Sequence, residues 1–437
     1  MRSSAIIRLI NKRILGVILI LFVSGIWLSG CSFARKDPKI EDDTISLSVL
    51  YDDSRSFYQD YGNYINMQYP NIKFKVISSD PIYNSDRPVK ESLTDLVEKE
   101  QPDLLFLTQY QQQILQETNA LMPLKALLDS SVLENMPQGV RDLLGYYGDG
   151  DFNSVAEVFS SEALFYNKKL FEQFSIPVPD GSMSWADFSN TARRFTNTDV
   201  LGLYTASMDP SVLFVKMGLS DGLSYLNKDK THLTMNTDGW TKLAETVKSM
   251  YMDGVVNKAA SASDNDFISG SAAMTIAQVG LYEQLVSMKV PFEWGVVPLP
   301  ASDHSKIPID LAKLIAVNKN SVNGEAAASI IEFIMSDPAI AANSRASTSL
   351  LPTAVATSTD YRESSNPLNF MYTLSANINI NEQHDRLQSM PEDFIQSFFP
   401  ELTSRMGDII RGEIDSRSGL MEVESYGNTL LQALKAK

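Results

Sequence analysis

An α/β fold organised in two domains is predicted by three observations. Between Ile45 and Leu107, short strand-like runs alternate with amphipathic helix patterns, as in a lobe built on a largely parallel sheet. The stretch Glu162–Phe195 repeats that order further along, as strand, helix, proline spacer and capped helix. At 437 residues the chain also exceeds what a single core ordinarily holds, so a second domain is expected.

Each element has a local reason. Ile45–Leu50 (ISLSVL) and Ile72–Ile77 (IKFKVI) alternate apolar and polar residues and read as strands. Ser54–Gln68 places Tyr61 and Ile65 along one helix face, and Pro70 closes it. Val89–Lys99 turns Leu93, Leu96 and Val97 inward as a helix, and Leu104–Leu107 is a short buried strand. In such sheets ligands meet the loops at the carboxyl ends of strands, here Tyr51-Asp52-Asp53 and Thr108-Gln109-Tyr110. Ala163–Tyr166 is apolar enough for a strand buried on both faces, and the following helix carries Leu170, Phe171 and Phe174. Pro177 and Pro179 stop that helix. Ser184 and Asp187 have the spacing of a capping box, opening a helix with Trp185, Phe188, Ala192 and Phe195 at helical spacing. Asn236 is expected to cap a helix running to Met252. The Ser/Thr-rich run Ala354–Asn366 reads as a surface loop.

Residues 1–30 stand apart. Arg2, Arg8, Lys12 and Arg13 precede the apolar run Ile14–Leu28, which is short for a permanent span and suits a secretory signal. Leu28-Ser29-Gly30-Cys31 then looks like a lipobox, with Cys31 as the lipidated residue and new N-terminus of a protein anchored at the outer face of a membrane. The polar segment from Cys31 to residue 43 reads as a tether.

Composition narrows the function. A net charge of −16 argues against nucleic-acid binding. A single cysteine excludes an intramolecular disulfide and a cysteine metal cluster, and the three histidines share no metal-ligand spacing, so no metal or other cofactor is expected. No G-x-S-x-G, H-E-x-x-H or G-x-x-x-x-G-K-[ST] motif occurs. Asp264-Asn265-Asp266 lacks the glycine and terminal glutamate of a calcium loop and reads as a solvated turn. A carboxylate pair of glycosidase type is neither favoured nor excluded by so acidic a chain.

The segment ALFYNKKLFEQFSIPVP…SWADF, Ala163 to Phe188, resembles a signature of the family 1 extracellular solute-binding proteins of ABC importers. Further segments are similar to that family: PDLLFLTQ from Pro102, FISGSAAMTIAQVGLY from Phe267, FEWGVVPLP from Phe292, and Leu314–Pro352. The resemblance implies a two-lobed periplasmic-binding-protein-like fold of type II, with the ligand cleft between the lobes and a helical C-terminus. It implies an N-lobe of 44–157 and 311–356 and a C-lobe of 158–310 and 357–437, crossed first near Val155–Glu162. It further implies a monomer that captures a small solute, a mono- or oligosaccharide, closes about a hinge and delivers it to ABC permease subunits, with no chemistry done on the solute. A sensor of the same fold signalling to a membrane receptor is the alternative, and a secreted carbohydrate-active enzyme a more distant one.

Candidate ligand-binding residues follow from strand ends and from the resemblance. They are Asp53, Gln109 and Tyr110 on the N-lobe, Ser160 and Glu162 after the first crossing, and Tyr282 and Asp310. Two departures bear on ligand class. Val279-Gly280-Leu281-Tyr282 stands where the family usually has Gly-Pro-Trp, and Ile309-Asp310-Leu311-Ala312 where many sugar binders have paired glycines. Tyr282 is therefore expected as the stacking platform, since aromatic faces pack against sugar C–H groups while carboxylates and amides take the hydroxyls.

Overall fold

The computed structural model describes residues 44–84, 86–207, 209–256, 266–354 and 361–435, so the expected signal segment, Cys31 and the tether lie outside the described residues. β1 (Ile45–Tyr51), β2 (Ile72–Ser78) and β3 (Leu104–Leu107) form where alternation and apolar runs predict them. β4 (Val155–Ser160) and β5 (Glu162–Asn167) follow, separated by Ser161 alone. β6 (Leu201–Tyr204), β7 (Ala272–Gln278) and β8 (Trp294–Val297) come next. The short β9 (Lys306–Ile307), the long β10 (Asp310–Val317), and the short β11 (Leu351–Pro352) and β12 (Ser375–Ala376) complete the set.

Two sheet-containing lobes result. The first sheet has the order β11-β4-β10-β3-β1-β2, and the second β6-β7-β5-β8. In the first, β1 is parallel to β2 and β3, while β10 runs antiparallel to both β3 and β4. The carboxyl ends of β1, β2, β3 and β4 therefore share one edge with the start of β10. The chain leaves this sheet at Ser161, returns between β8 and β10, and leaves again after β11. The second and third passages are tied together where β9 pairs parallel with β12, Lys306 beside Ser375 and Ile307 beside Ala376.

β4 stays paired with β10 as far as Ser160, beside Asp310. Tyr372 packs edge-on against Phe159 at 5.5 Å and donates its hydroxyl to the Pro352 carbonyl at 3.0 Å, so this part of the chain still rests on the first sheet well past residue 356. Apolar contact with a fully buried strand holds it there.

Each lobe has its own core. Beside β1 and β3, Phe57, Tyr61 and Phe106 form an edge-packed aromatic group with Tyr51. Glu157 is the one charged side chain within the buried strand β4, and the Tyr61 hydroxyl donates to it at 2.5 Å. The second core joins Leu164, Phe171, Phe188, Phe214 and Trp240 to Phe394, Phe398, Leu402, Met406 and Ile409. The last five lie on Glu392–Arg411, one of three helices (with Ile378–Gln388 and Ser416–Lys435) that make the C-terminus helical, as expected. The Ser184 capping box forms, Ser184 Oγ accepting from the Asp187 amide at 3.2 Å. The next cap departs from expectation by one residue: Thr237, not Asn236, caps Asp238–Met252, its hydroxyl accepting from the Trp240 amide at 3.4 Å, while the Asn236 backbone amide donates to Glu424 at 2.8 Å.

Helix Pro210–Ser220 is pressed against this second core through Gly218, where an added Cβ would lie 2.0 Å from the Trp240 ring. Gly218→Ala is expected to push the helix off Trp240 and lower stability by about 1–3 kcal/mol, read as a lower midpoint of urea unfolding.

Candidate functional site

A cavity of about 590 Å³ opens at the crossing between the sheets. Its floor is the crossing itself: Glu162 at the start of β5, Gln278 at the end of β7, and Pro308 and Asp310 leading into β10. One wall is the helix Pro210–Ser220, which offers Val212, Val215, Lys216 and Leu219. Ile380 and His384 from the neighbouring helix Ile378–Gln388 line the cavity as well, and Phe399 supplies an aromatic side chain.

Long-range pairing places the floor. Ser160 sits beside Asp310 across β4 and β10, and Glu162 beside Gln278 across β5 and β7. The Ser160 hydroxyl donates to Gln278 Oε1 at 2.6 Å, joining the two sheets. Lys216 forms an ion pair with Glu162, both side chains about a quarter exposed. Asp209 is spent on its own helix, accepting from the Ser211 amide at 2.8 Å and from the Thr403 hydroxyl at 2.6 Å. Asp310 keeps surface open to the cavity, but protein surrounds it on its other sides. Burial raises its carboxyl above the usual range, and repulsion from Glu162 adds to this, against weaker pulls from His384 and Lys216.

The first-lobe residues lie on the shared strand edge. Asp53, exposed, caps Ser54–Phe57 by accepting from the Arg55 and Ser56 amides at 2.7 and 3.0 Å. The Ser56 hydroxyl holds its carboxyl below the usual range. Gln109 opens helix Gln109–Glu117 and donates to the Tyr147 hydroxyl at 2.5 Å; Tyr110, beside it, is half-buried. Tyr282 does not line the cavity: its ring meets Trp294 edge-on at 5.2 Å, on helix Gly280–Met288. The structure thus gathers Ser160, Glu162 and Asp310, spreads Asp53, Gln109 and Tyr110 along the first-lobe edge, and leaves Tyr282 packed on a neighbour.

Sequence reasoning missed Lys216, Gln278, His384 and Phe399. Each sits in a run that reads as ordinary helix or strand, and no spacing marks them. Tyr83 was missed too. It follows β2 on the same edge, is 55% exposed, and its hydroxyl accepts from Gln111 Nε2 at 2.8 Å.

The sign of the Asp310 shift makes a stability prediction. A raised carboxyl binds its proton in the folded state when the unfolded chain has already released it. Its ionisation therefore costs stability as pH rises from the ordinary aspartate range, and the cost is complete above the raised value. Asp310→Asn is expected to melt higher than the parent at neutral pH, with the gap closing toward acid, in thermal scans across pH.

Comparison with known proteins follows from this geometry. Residues 73–365 match the family model described as bacterial extracellular solute-binding protein. A protein of Brucella abortus (strain 2308), named only as a binding protein, is 26% identical over 196 residues, 43% of this chain and 47% of its own length. The chain thus spans about half the length of the curated relatives it matches. Among solved structures, the family 1 extracellular solute-binding protein of Alicyclobacillus acidocaldarius is similar in fold, with TM-score 0.67, 14% identity and coverage of 89% of this chain and 99% of that one. The sugar-binding protein MalE of Xanthomonas citri gives 0.63 at 16% identity over 90% and 98%. The cyclic α-maltosyl-1,6-maltose binding protein of Arthrobacter globiformis gives 0.60 at 17% identity over 89% and 99%. With a family model matching well over half of it and this two-lobed fold beneath, the chain belongs to the bacterial extracellular solute-binding proteins.

Proposed function

We propose that this protein captures a small carbohydrate between its lobes and delivers it to an ABC importer, held at the extracytoplasmic face of the membrane by lipid on Cys31. The observation that carries the reading is the cavity at the crossing, where carboxylate, ammonium and amide groups stand beside apolar walls and Phe399. Such a mixture suits a polyol, whose hydroxyls need donors and acceptors and whose C–H faces need apolar contact. The sugar ligands named for the Arthrobacter and Xanthomonas proteins agree with it. The mechanism is hinge closure. Three passages join the lobes, and a solute bound on the cavity floor meets the first-lobe edge, with Asp53, Gln109, Tyr110 and Tyr83, only when the lobes approach. It thereby favours the closed form that permease subunits recognise, as a monomer and without covalent chemistry. We propose lobe limits of 44–157 with 311–356 for the first lobe and 158–310 with 357–437 for the second.

A panel of neutral mono- and oligosaccharides, with peptides and polyamines as controls, tests the reading by thermal shift. A true ligand at about a hundred times its dissociation constant adds about 2.7 kcal/mol of stability. Glu162→Gln is expected to weaken that ligand by about 1–3 kcal/mol while barely moving the melting point of the free protein. A panel in which only peptides or polyamines stabilise the protein would overturn the carbohydrate assignment. For the anchor, Cys31→Ser is expected to appear in the medium or as unprocessed precursor; a processed variant that stays with the membrane refutes the lipobox.

A further inference from the structure

Asp385 is the place where a second-lobe helix grips the first lobe. Its helix, Ile378–Gln388, is fastened to the second lobe along its length. Gln383 Oε1 accepts from the amides of Tyr225 and Leu226 at 3.1 and 3.0 Å, and Asn379 Nδ2 donates to the Leu223 carbonyl at 2.9 Å. From this fixed base Asp385 Oδ2 accepts the Tyr147 hydroxyl at 2.9 Å, and that same hydroxyl accepts from Gln109 Nε2 at 2.5 Å. Tyr147 ends the first-lobe helix Gln138–Tyr147, and Gln109 begins the helix that follows β3. One residue before Asp385, His384 lines the cavity.

We infer that Asp385 is a positioning residue for solute binding, a bridge through Tyr147 that sets the separation of the two lobes and fixes Gln109 at the first-lobe edge. A half-buried carboxylate facing mostly uncharged side chains is held only if they donate to it. Burial pushes the Asp385 carboxyl up, while Gln113, Tyr147, His384 and Gln109 pull it back. Gln113 and Gln109 share a first-lobe helix, so moving the lobes apart strips several of these donors at once. The bridge thus biases the free protein toward the lobe spacing seen here, and a solute that needs this spacing binds with less conformational cost. The inference rests on the reading, given above, that solute is held between the lobes.

Tyr147→Phe and Asp385→Ala each cut the bridge, alanine leaving no oxygen to accept the hydroxyl, and the phenyl ring left by Tyr147→Phe would keep the packing against Tyr146. Spin labels at Glu98→Cys on the first lobe and Glu245→Cys on the second, both exposed, report lobe spacing in the full chain carrying Cys31→Ser. Pulsed electron–electron resonance on the solute-free protein is expected to show longer and broader distances in both variants. The double variant is expected to shift no further than either single one, since both remove one interaction. An unchanged distance distribution in folded Tyr147→Phe overturns the bridge, as do shifts that simply add in the double variant. The solute reading fails separately: it is lost if no solute that stabilises the parent shortens its label distance, whatever the bridge variants do.

Discussion

Hydrogen bonds between neighbouring crossing segments hold the two sheets in register, and the site depends on them. Ser161, fully buried, donates its hydroxyl to the Pro308 carbonyl at 2.6 Å and accepts the Val279 amide at 2.9 Å. Asn381 Nδ2 reaches the Ile309 carbonyl at 2.9 Å, and the Asn377 amide reaches Ile307 at 2.8 Å. Backbone groups between two sheets have no ladder to satisfy them, and an unpaired buried carbonyl or amide costs about 1–3 kcal/mol. The Ser161 and Asn381 side chains, with backbone bonds from the Val279 amide to the Ser161 carbonyl and from the Asn377 amide to the Ile307 carbonyl, fill that deficit here. The result is a narrow multi-strand junction that fixes where Glu162, Gln278 and Asp310 emerge.

The polar groups on the cavity floor follow a different economy. Lys216 neutralises Glu162 and Asp209 caps its helix, whereas Asp310 keeps a raised, partly enclosed carboxyl facing the cavity. A folded protein tolerates such a group where binding compensates for it, since ligand contacts restore what desolvation removes. Apolar residues on the flanking helices exclude water from the walls and strengthen those contacts. The site is thus a small acidic floor in an apolar frame.

How much was legible in the sequence varied with the range of the interaction. The strands from Ile45 to Leu107 and the Ser184 capping box appeared because alternation and capping act within a few residues. The cap of Asp238–Met252 fell one residue later than read, at Thr237 instead of Asn236, because adjacent Asn and Thr are both good caps and local pattern does not choose between them. Tyr282 looked like a platform by position, but Trp294 arrives from β8 to pack against it. Asp53 stands at a strand end, and its carboxylate also caps the helix it starts.

The sequence by itself determined the α/β class and the family signature, because both are written in local hydrophobic pattern and turn chemistry. Only the tertiary structure decided which side chains share the cavity. Ser160 and Gln278 are 118 residues apart, and Tyr147 and Asp385 are 238 apart. No local periodicity encodes such meetings. They exist because three chain passages converge at one junction, and the free energy that brings them together comes from burying two separate cores on either side of it.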